Sequence, residues 1–314
     1  MSIKKKNFIR SVNFGLTGCI SAVDCSSLFC YAVRMKCLSR CASHLALLKS
    51  TVLCVLILGM SLVPVVSMAE HQLIASPPQN IEAFFPGETL TYDISWSRAI
   101  SAGTATMEVK AEKLPDGRDG LKFVVTGRSV GLLDKIYPVN DSVDSLFDPQ
   151  TRESLSYRLR ESYGGKKRRR DMAFDRTQNV VVSKLNDDAA ETFTVPEHVQ
   201  DGLSMLYYLR TTESFIVGKI FTIDVHDSKK NWSIEIHTLG REKLKTPMGE
   251  FSTIKVKTYP KYEGAFINKG EVFIWLTDDN RRIPLLMKSK LSFGSFVFSL
   301  TGMTPEHLIE VPHQ

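Results

Sequence analysis

Five consecutive cations, Lys166-Lys167-Arg168-Arg169-Arg170, follow directly on Gly164-Gly165. A run of this kind can grip anionic headgroups or acidic polysaccharide, each exposed contact near a membrane surface contributing ~1 kcal/mol. It can equally be a solvated hairpin rim or a protected edge strand, where lysine is favoured. Since it leads into Met172 and Phe174, it reads as the start of a strand. Glu235 and His237 share a strand face and could act as acid and base, although an alternating polar face is ordinarily just wet. Asp278-Asp279-Asn280 offers oxygen ligands but lacks the D-x-[DN]-x-[DN]-G pattern of a calcium loop, so it reads as a turn with Arg281 and Arg282 alongside.

Catalytic signatures are sparse. Gly202-Leu203-Ser204-Met205-Leu206 lacks the closing glycine of a nucleophile elbow. His71, His198, His226, His237, His307 and His313 show no H-x-H or H-E-x-x-H spacing. No catalytic residue is assigned, and no cofactor or metal is expected. A hydrolase acting through paired carboxylates stays open as the rival, because such residues meet in space rather than in sequence.

Aromatic residues point to binding instead. Tyr92, Trp96, Trp232, Phe251, Phe273, Trp275, Phe293, Phe296 and Phe298 exceed what a thin sheet hides unaided. If the sheet curves, they can line an apolar cavity; if not, they are ordinary core. The candidate ligand contacts are Trp96, Trp232, Trp275 and Phe296, with Tyr207, and the candidate anionic-surface contacts are Lys166 to Arg170.

The elements that must position these residues are strands. Leu90, Tyr92, Ile94 and Trp96 alternate with polar partners, as do Trp232, Ile234 and Ile236, and Phe296, Phe298 and Leu300. Reversal signals separate the runs at Pro115-Asp116-Gly117, Gly164-Gly165, Asn186-Asp187-Asp188 and Asp278-Asp279-Asn280. The pattern predicts a mainly β fold: one large antiparallel curved sheet or barrel-like domain of roughly a dozen strands. A single central helix is expected near 201–212, with Asp201 as its N-cap, covering one open face. Charge on Lys255, Lys257, Lys288 and Lys290 argues against a lipid-facing barrel.

All six cysteines (Cys19, Cys25, Cys30, Cys37, Cys41, Cys54) lie in the first 54 residues. Thr51 to Val66 is an apolar run behind Arg40, His44 and Lys49, and it ends on Ser67-Met68-Ala69, the pattern of an export leader cleaved after Ala69. Met35 is an alternative start to Met1. The expected organisation is an extension and signal peptide over 1–69, a tether over 70–83, a β-rich domain over 84–302 and a tail over 303–314. Residues 1–69 hold eight of the 40 Lys/Arg and one of the 34 Asp/Glu, leaving 32 and 33 and a net charge near −1 in place of +6. The basicity therefore belongs to the leader and is no argument for nucleic acid.

Three stretches carry a resemblance: Phe85-Pro86-Gly87-Glu88-Thr89-Leu90-Thr91-Tyr92 with Ala102-Gly103-Thr104-Ala105; Leu203 to Arg210; and Gly249 to Val256 with Trp275 to Pro284. Over about residues 84–300 the chain resembles the bacterial exported domain of unknown function 3108. That resemblance implies a secreted β-rich envelope domain and brings no catalytic residues with it. The expected function is a non-enzymatic periplasmic domain binding an amphiphilic or hydrophobic envelope component. Lipid, lipoprotein and polysaccharide are the candidate ligands; an envelope scaffold that lends a sheet edge is a further alternative. No membrane span is expected once the leader is removed.

Overall fold

The computed structural model describes residues 83–212, 215–263, 265–266, 271–291 and 294–305. The leader, all of the tether but Ala83, Phe293 and residues 306–314 lie outside the described residues.

Eight strands form the first meander: β1 (Thr89–Trp96), β2 (Ile100–Lys113), β3 (Asp119–Ser129), β4 (Asn140–Asp148), β5 (Glu153–Tyr163), β6 (Lys166–Asp175), β7 (Val180–Leu185) and β8 (Glu191–Thr194). A short helix, α1 (Gly131–Ile136), joins β3 to β4, and α2 (Ser204–Arg210) follows β8. The second meander is β9 (Ile220–Asp227), β10 (Lys230–Thr246), β11 (Gly249–Tyr262), β12 (Ala265–Phe266), β13 (Glu271–Thr277), β14 (Pro284–Leu291) and β15 (Gly294–Thr304). All pair antiparallel in one sheet, ordered β8-β7-β6-β5-β4-β3-β2-β1-β15-β14-β13-β11-β10-β9, with β12 on β11. The first meander thus runs outward from β1, and the second starts at the opposite edge and returns to it.

Each turn signal joins consecutive strands. Gly164 and Gly165 both take positive φ, the pair of left-handed conformations that a two-residue hairpin loop requires. Asp279 Oδ1 accepts from Thr277 Oγ1 at 2.6 Å and from the amides of Arg281 and Arg282, while Asp278 pairs with Arg241 at 2.8 Å, so Asp278-Asp279-Asn280 is a braced turn.

The sheet curves without closing, for among the described residues no strand ladder joins β8 to β9. A seam replaces the ladder. Gln200 makes a single parallel bridge to Val225, its N–H donating to Asp224 O and its C=O accepting from His226 N, both at 2.8 Å. Lys229 pairs with Glu191, and Asn231 Nδ2 donates to Thr194 O.

Helix α2 fills one end of the curved sheet, where β1 begins and β4 ends. Asp201 caps it reciprocally: Oδ1 accepts from the Leu203 and Ser204 amides at 2.7 and 2.8 Å, and Asp201 N donates to Ser204 Oγ at 2.9 Å. The helix buries Leu206, Tyr207, Leu209 and Arg210, the apolar members each contributing ~1.5–3 kcal/mol. Tyr207 stacks on Phe123 of β3 at 3.7 Å between centroids, with Phe84 edge-on at 5.3 Å. The pattern at 201–212 was readable in sequence, whereas α1 was not. It is six residues long with no side-chain cap and no buried member, so neither periodicity nor punctuation marks it.

Candidate functional site

The pleat decides what the curved sheet encloses. Cross-strand partners share a face, so Tyr92, Ala105, Gly127 and Asp141 lie on one side across β1 to β4. That side is the inner wall, since Tyr92, Phe123, Phe147, Ile254, Leu276 and Leu300 on it are 0 or 1% exposed. Those six lie toward the end that α2 fills. Toward the other end, inner positions lose burial: Gly127, Asp141, Val143, Trp96, Trp232 and Tyr262 are only half-buried.

Aromatic surface lines one part of this open end. Trp96 ends β1 and meets Phe296 of β15 edge-on at 4.8 Å. Its ring lies against Gly294, where a Cβ would come within 2.2 Å of it, so glycine is what lets the indole lie flat on the backbone. Trp232 of β10 tilts against its cross-strand neighbour Tyr262 at 5.4 Å, and Lys230 Nζ stands 4.3 Å from the Tyr262 centroid.

Charge lines the other part. Arg168 and Glu161 face each other across β5 and β6 at 3.8 Å, with side chains 11 and 5% exposed. Arg170, 1% exposed, donates from Nη1 to Ser228 Oγ at 2.8 Å and stands 3.9 Å from Asp227. Strands β7 and β8 separate β6 from β9 in the sheet order, so this contact ties the wall to the far side of the seam. Beneath lies Tyr157, whose hydroxyl burial pushes well above its ordinary pKa; Asp227, Asp201 and Glu161 push the same way and Arg170 opposes them. The phenol therefore stays neutral within the charged cluster.

The filled end is polar in a different way. Asp201 Oδ2 accepts from Ser145 Oγ and Ser154 Oγ, each at 2.5 Å. Burial raises its pKa, against the pull of those hydroxyls and of the Ser204 and Leu203 amides. Arg210 and Glu88 form a bidentate pair at 2.6 and 2.8 Å with both side chains at most 1% exposed. Arg210 also donates to Ala83 O and Arg281 O. Burial works against its charge, but Glu88 beside it outweighs burial and holds the pKa above its usual value. Glu88, Asp201 and Arg210 are all committed to the fold.

The candidate ligand contacts therefore separate. Trp96, Phe296 and Trp232 lie on the inner wall toward the open end, the first two in contact. Tyr207 is sealed in the core of the filled end. Trp275 lies on the opposite face of the sheet, packed with Leu286 and Val297. The basic run is divided by the pleat: Arg168 and Arg170 point inward, Lys167 and Arg169 outward, and Lys166 stands exposed at the hairpin. Arg169 is engaged with Asp187 at 2.6 Å. Sequence reasoning missed Glu161, Asp227, Asp141 and Tyr262, whose place on the wall follows only from the strand registers.

On the outer face a groove of about 270 Å³ is lined by Thr222, Asn231, Ser233, Glu235, Lys261 and Glu263. Glu235 accepts from Lys261 and lies 2.9 Å from His237 Nε2. Burial acts to raise its pKa, yet the hydrogen bonds from Lys261 and His237 prevail and hold it below the usual carboxylate value. Among the described residues, no group of three or more His, Cys, Asp or Glu is placed to hold a metal ion, and no helix is long and apolar enough to cross a membrane.

A family model described as protein of unknown function (DUF3108) matches residues 91–301. No curated protein matches the chain. Among solved structures, the chain is similar to a β-barrel-like protein of domain of unknown function DUF1849 from Brucella abortus. That match has 12% identity and a TM-score of 0.48, covering 70% of this chain and 97% of that one. It is also similar to a candidate lipoprotein from Parabacteroides distasonis, with 10% identity, a TM-score of 0.29, and 72 and 97% coverage. A third likeness is to a candidate exported protein with a YmcC-like fold from Bacteroides fragilis, with 14% identity, a TM-score of 0.29, and 70 and 98% coverage.

Proposed function

The chain belongs to the DUF3108 family of proteins of unknown function, and we propose that it is a non-catalytic, exported binding domain for an amphiphilic or hydrophobic component of the cell envelope. The ligand would lie on the inner wall at the open end, its apolar part against Trp96, Trp232 and Tyr262, with Phe296 sealed behind Trp96. Its polar head would meet Arg168, with Arg170, Glu161 and Asp227 buried behind it. The observation that carries this reading is the division of one inner wall into a sealed end and an end where Trp96, Trp232, Tyr262 and the inward Arg168 stay half-buried. A planar aromatic face gives apolar contact at low entropic cost, and a guanidinium in a desolvated wall binds anionic oxygen strongly. Export to the periplasm is supported by the leader pattern ending at Ala69.

The hydrolase alternative draws less support. A glycosidase acid needs a raised pKa so that it carries a proton at neutral pH, and Glu235 is held low.

Native mass spectrometry of the protein purified from its envelope tests the proposal. A bound amphiphile is expected, with its occupancy falling at least tenfold in Trp96→Ala. Protein recovered empty, and failing to take up added phospholipid or fatty acid, would refute it.

A further inference from the structure

The rim of the open end is apolar and basic at once. Helix α1 lies there, its start tied to β2 by Val130 N donating to Ala102 O at 3.2 Å. Its far end is tied to the β5–β6 hairpin by Gly164 N donating to Pro138 O at 3.1 Å and by Tyr137 against Tyr163 at 6.3 Å. Leu133 turns in to pack on the core, while Leu132 and Ile136, four residues apart on one helix face, are 71 and 72% exposed. Ile100, at the start of β2, adds a third apolar side chain, 60% exposed. A folded chain has no internal use for large apolar groups this exposed at adjoining positions.

Five exposed cations surround them: Arg98 in the β1–β2 turn, Arg128 near the end of β3, Lys135 on α1, and Lys166 and Lys167 after the hairpin glycines. Among the described residues, no carboxylate pairs with any of the five. The acid on α1 itself, Asp134, accepts from Ser129 Oγ at 2.6 Å and so faces β3. Apolar side chains ringed by cations that no carboxylate neutralises match the interface of an anionic bilayer, where hydrocarbon lies just beneath negative headgroups.

We propose that this rim is a membrane-surface dock. Leu132 and Ile136 enter the interfacial layer of an anionic phospholipid bilayer, and Arg98, Arg128, Lys135, Lys166 and Lys167 face its headgroups. The open inner wall then meets the surface that supplies its ligand, a step that rests on the amphiphile reading above. With so few apolar groups inserted, binding is reversible.

Vesicle co-sedimentation of the purified protein tests the dock. Vesicles containing phosphatidylglycerol should bind it, phosphatidylcholine vesicles should not, and added salt should weaken the complex. The Leu132→Ser/Ile136→Ser double variant should lose at least tenfold in affinity with an unchanged thermal midpoint, because both side chains are already in water. Removing charge with Lys135→Gln, Lys166→Gln and Lys167→Gln should cost about fivefold per lysine. Double-variant binding equal to wild type, or equal binding to both vesicle types, would overturn the dock. So would loss of an acidic protein partner in the double variant with no vesicle binding by wild type. Native mass spectrometry separates the two ideas. A ligand retained without vesicle binding sinks the dock alone, and vesicle binding without any ligand sinks the interior reading alone.

Discussion

The two ends of the inner wall solve the same problem in opposite ways. At the filled end α2 brings a cap, an aromatic stack and a cation to where the sheet would otherwise be hollow, and its ions meet short-range partners, while the Tyr207 hydroxyl lies buried without a hydrogen-bond partner. Arg210 has Glu88 and two carbonyls; Asp201 has two amides and two hydroxyls. Among the described residues no helix fills the open end. There Arg168 stands 3.8 Å from Glu161 and Arg170 3.9 Å from Asp227, and the rings of Trp96, Trp232 and Tyr262 keep part of their surface in solvent. The contrast teaches that equally buried ions can be held differently: Arg210 by a bidentate carboxylate at 2.6 and 2.8 Å, Arg170 by a serine hydroxyl at 2.8 Å with a carboxylate 3.9 Å away.

The sharpest way to break the comparison is to remove one ion from the filled end. Arg210→Met leaves Glu88 buried opposite no charge and should cost about 3–5 kcal/mol in urea unfolding. Adding Glu88→Leu should recover a large part of that loss, since the uncompensated carboxylate goes with it. A single-variant cost below about 1 kcal/mol would mean that the filled end is wetter than described. Asp201→Ala should come next, at about 2–4 kcal/mol, because it removes the cap and strands the Ser145 and Ser154 hydroxyls.

Space provides the next test. A Cβ at Gly127, on the inner wall of β3, would meet nothing nearer than Thr104 O at 4.0 Å. Ser145, on the inner wall of β4, is fully buried against Asp201. Gly127→Leu should therefore stay within about 1 kcal/mol of wild type while blocking ligand uptake, since an exposed-wall substitution creates no clash. Ser145→Leu should cost about 1–3 kcal/mol from overpacking, with a further loss from its missing hydroxyl. If Gly127→Leu proved the more damaging of the two, the ends would have been assigned the wrong way round.

Much of this frame is legible in the sequence. Alternation at Leu90 to Trp96 and Trp232 to Ile236, with glycine and aspartate punctuation, specifies antiparallel strands because the pleat has period two. Asp201 followed by Leu203, Leu206 and Tyr207 specifies α2 for the same local reason. What stayed hidden was the site, whose members depend on register and curvature. Arg168 meets Glu161 only because a two-residue turn sets β5 against β6, and Arg170 reaches Ser228 only because the sheet bends until its edges face. The candidate aromatics illustrate the same limit. Parity within a strand places Trp275 and Ile274 on opposite faces, but nothing local says which face will be enclosed. Helix α1 was hidden too, being too short for periodicity to show.

Proton linkage should distinguish the filled end from the seam, with the smallest effects of all. Burial raises the Asp201 pKa in the folded chain. Below the unfolded value of ~3.9 both states are protonated and no penalty applies; as pH rises from there through the folded value, the unfolded chain sheds its proton first and stability falls. Asp201→Asn should flatten that limb. His226 lies at the seam, 0% exposed, 2.7 Å from Asn231 Oδ1 and against Phe193. Burial lowers its pKa, with Asn231 pulling the other way. Its contribution is therefore complete above the unfolded value of ~6.5 and is lost as pH falls through the folded value. His226→Gln should remove this acid limb and leave the Asp201 limb intact. A folded chain that holds a proton tenfold more or less tightly than the unfolded one differs by about 1.4 kcal/mol, so urea midpoints measured across acid to neutral pH resolve both limbs. Amide exchange then assigns them: acid should loosen Gln200 and Val225 at the seam before it loosens α2. If α2 exchanged first in acid, the seam would not be the pH-sensitive element, and the filled end would be the weaker of the two.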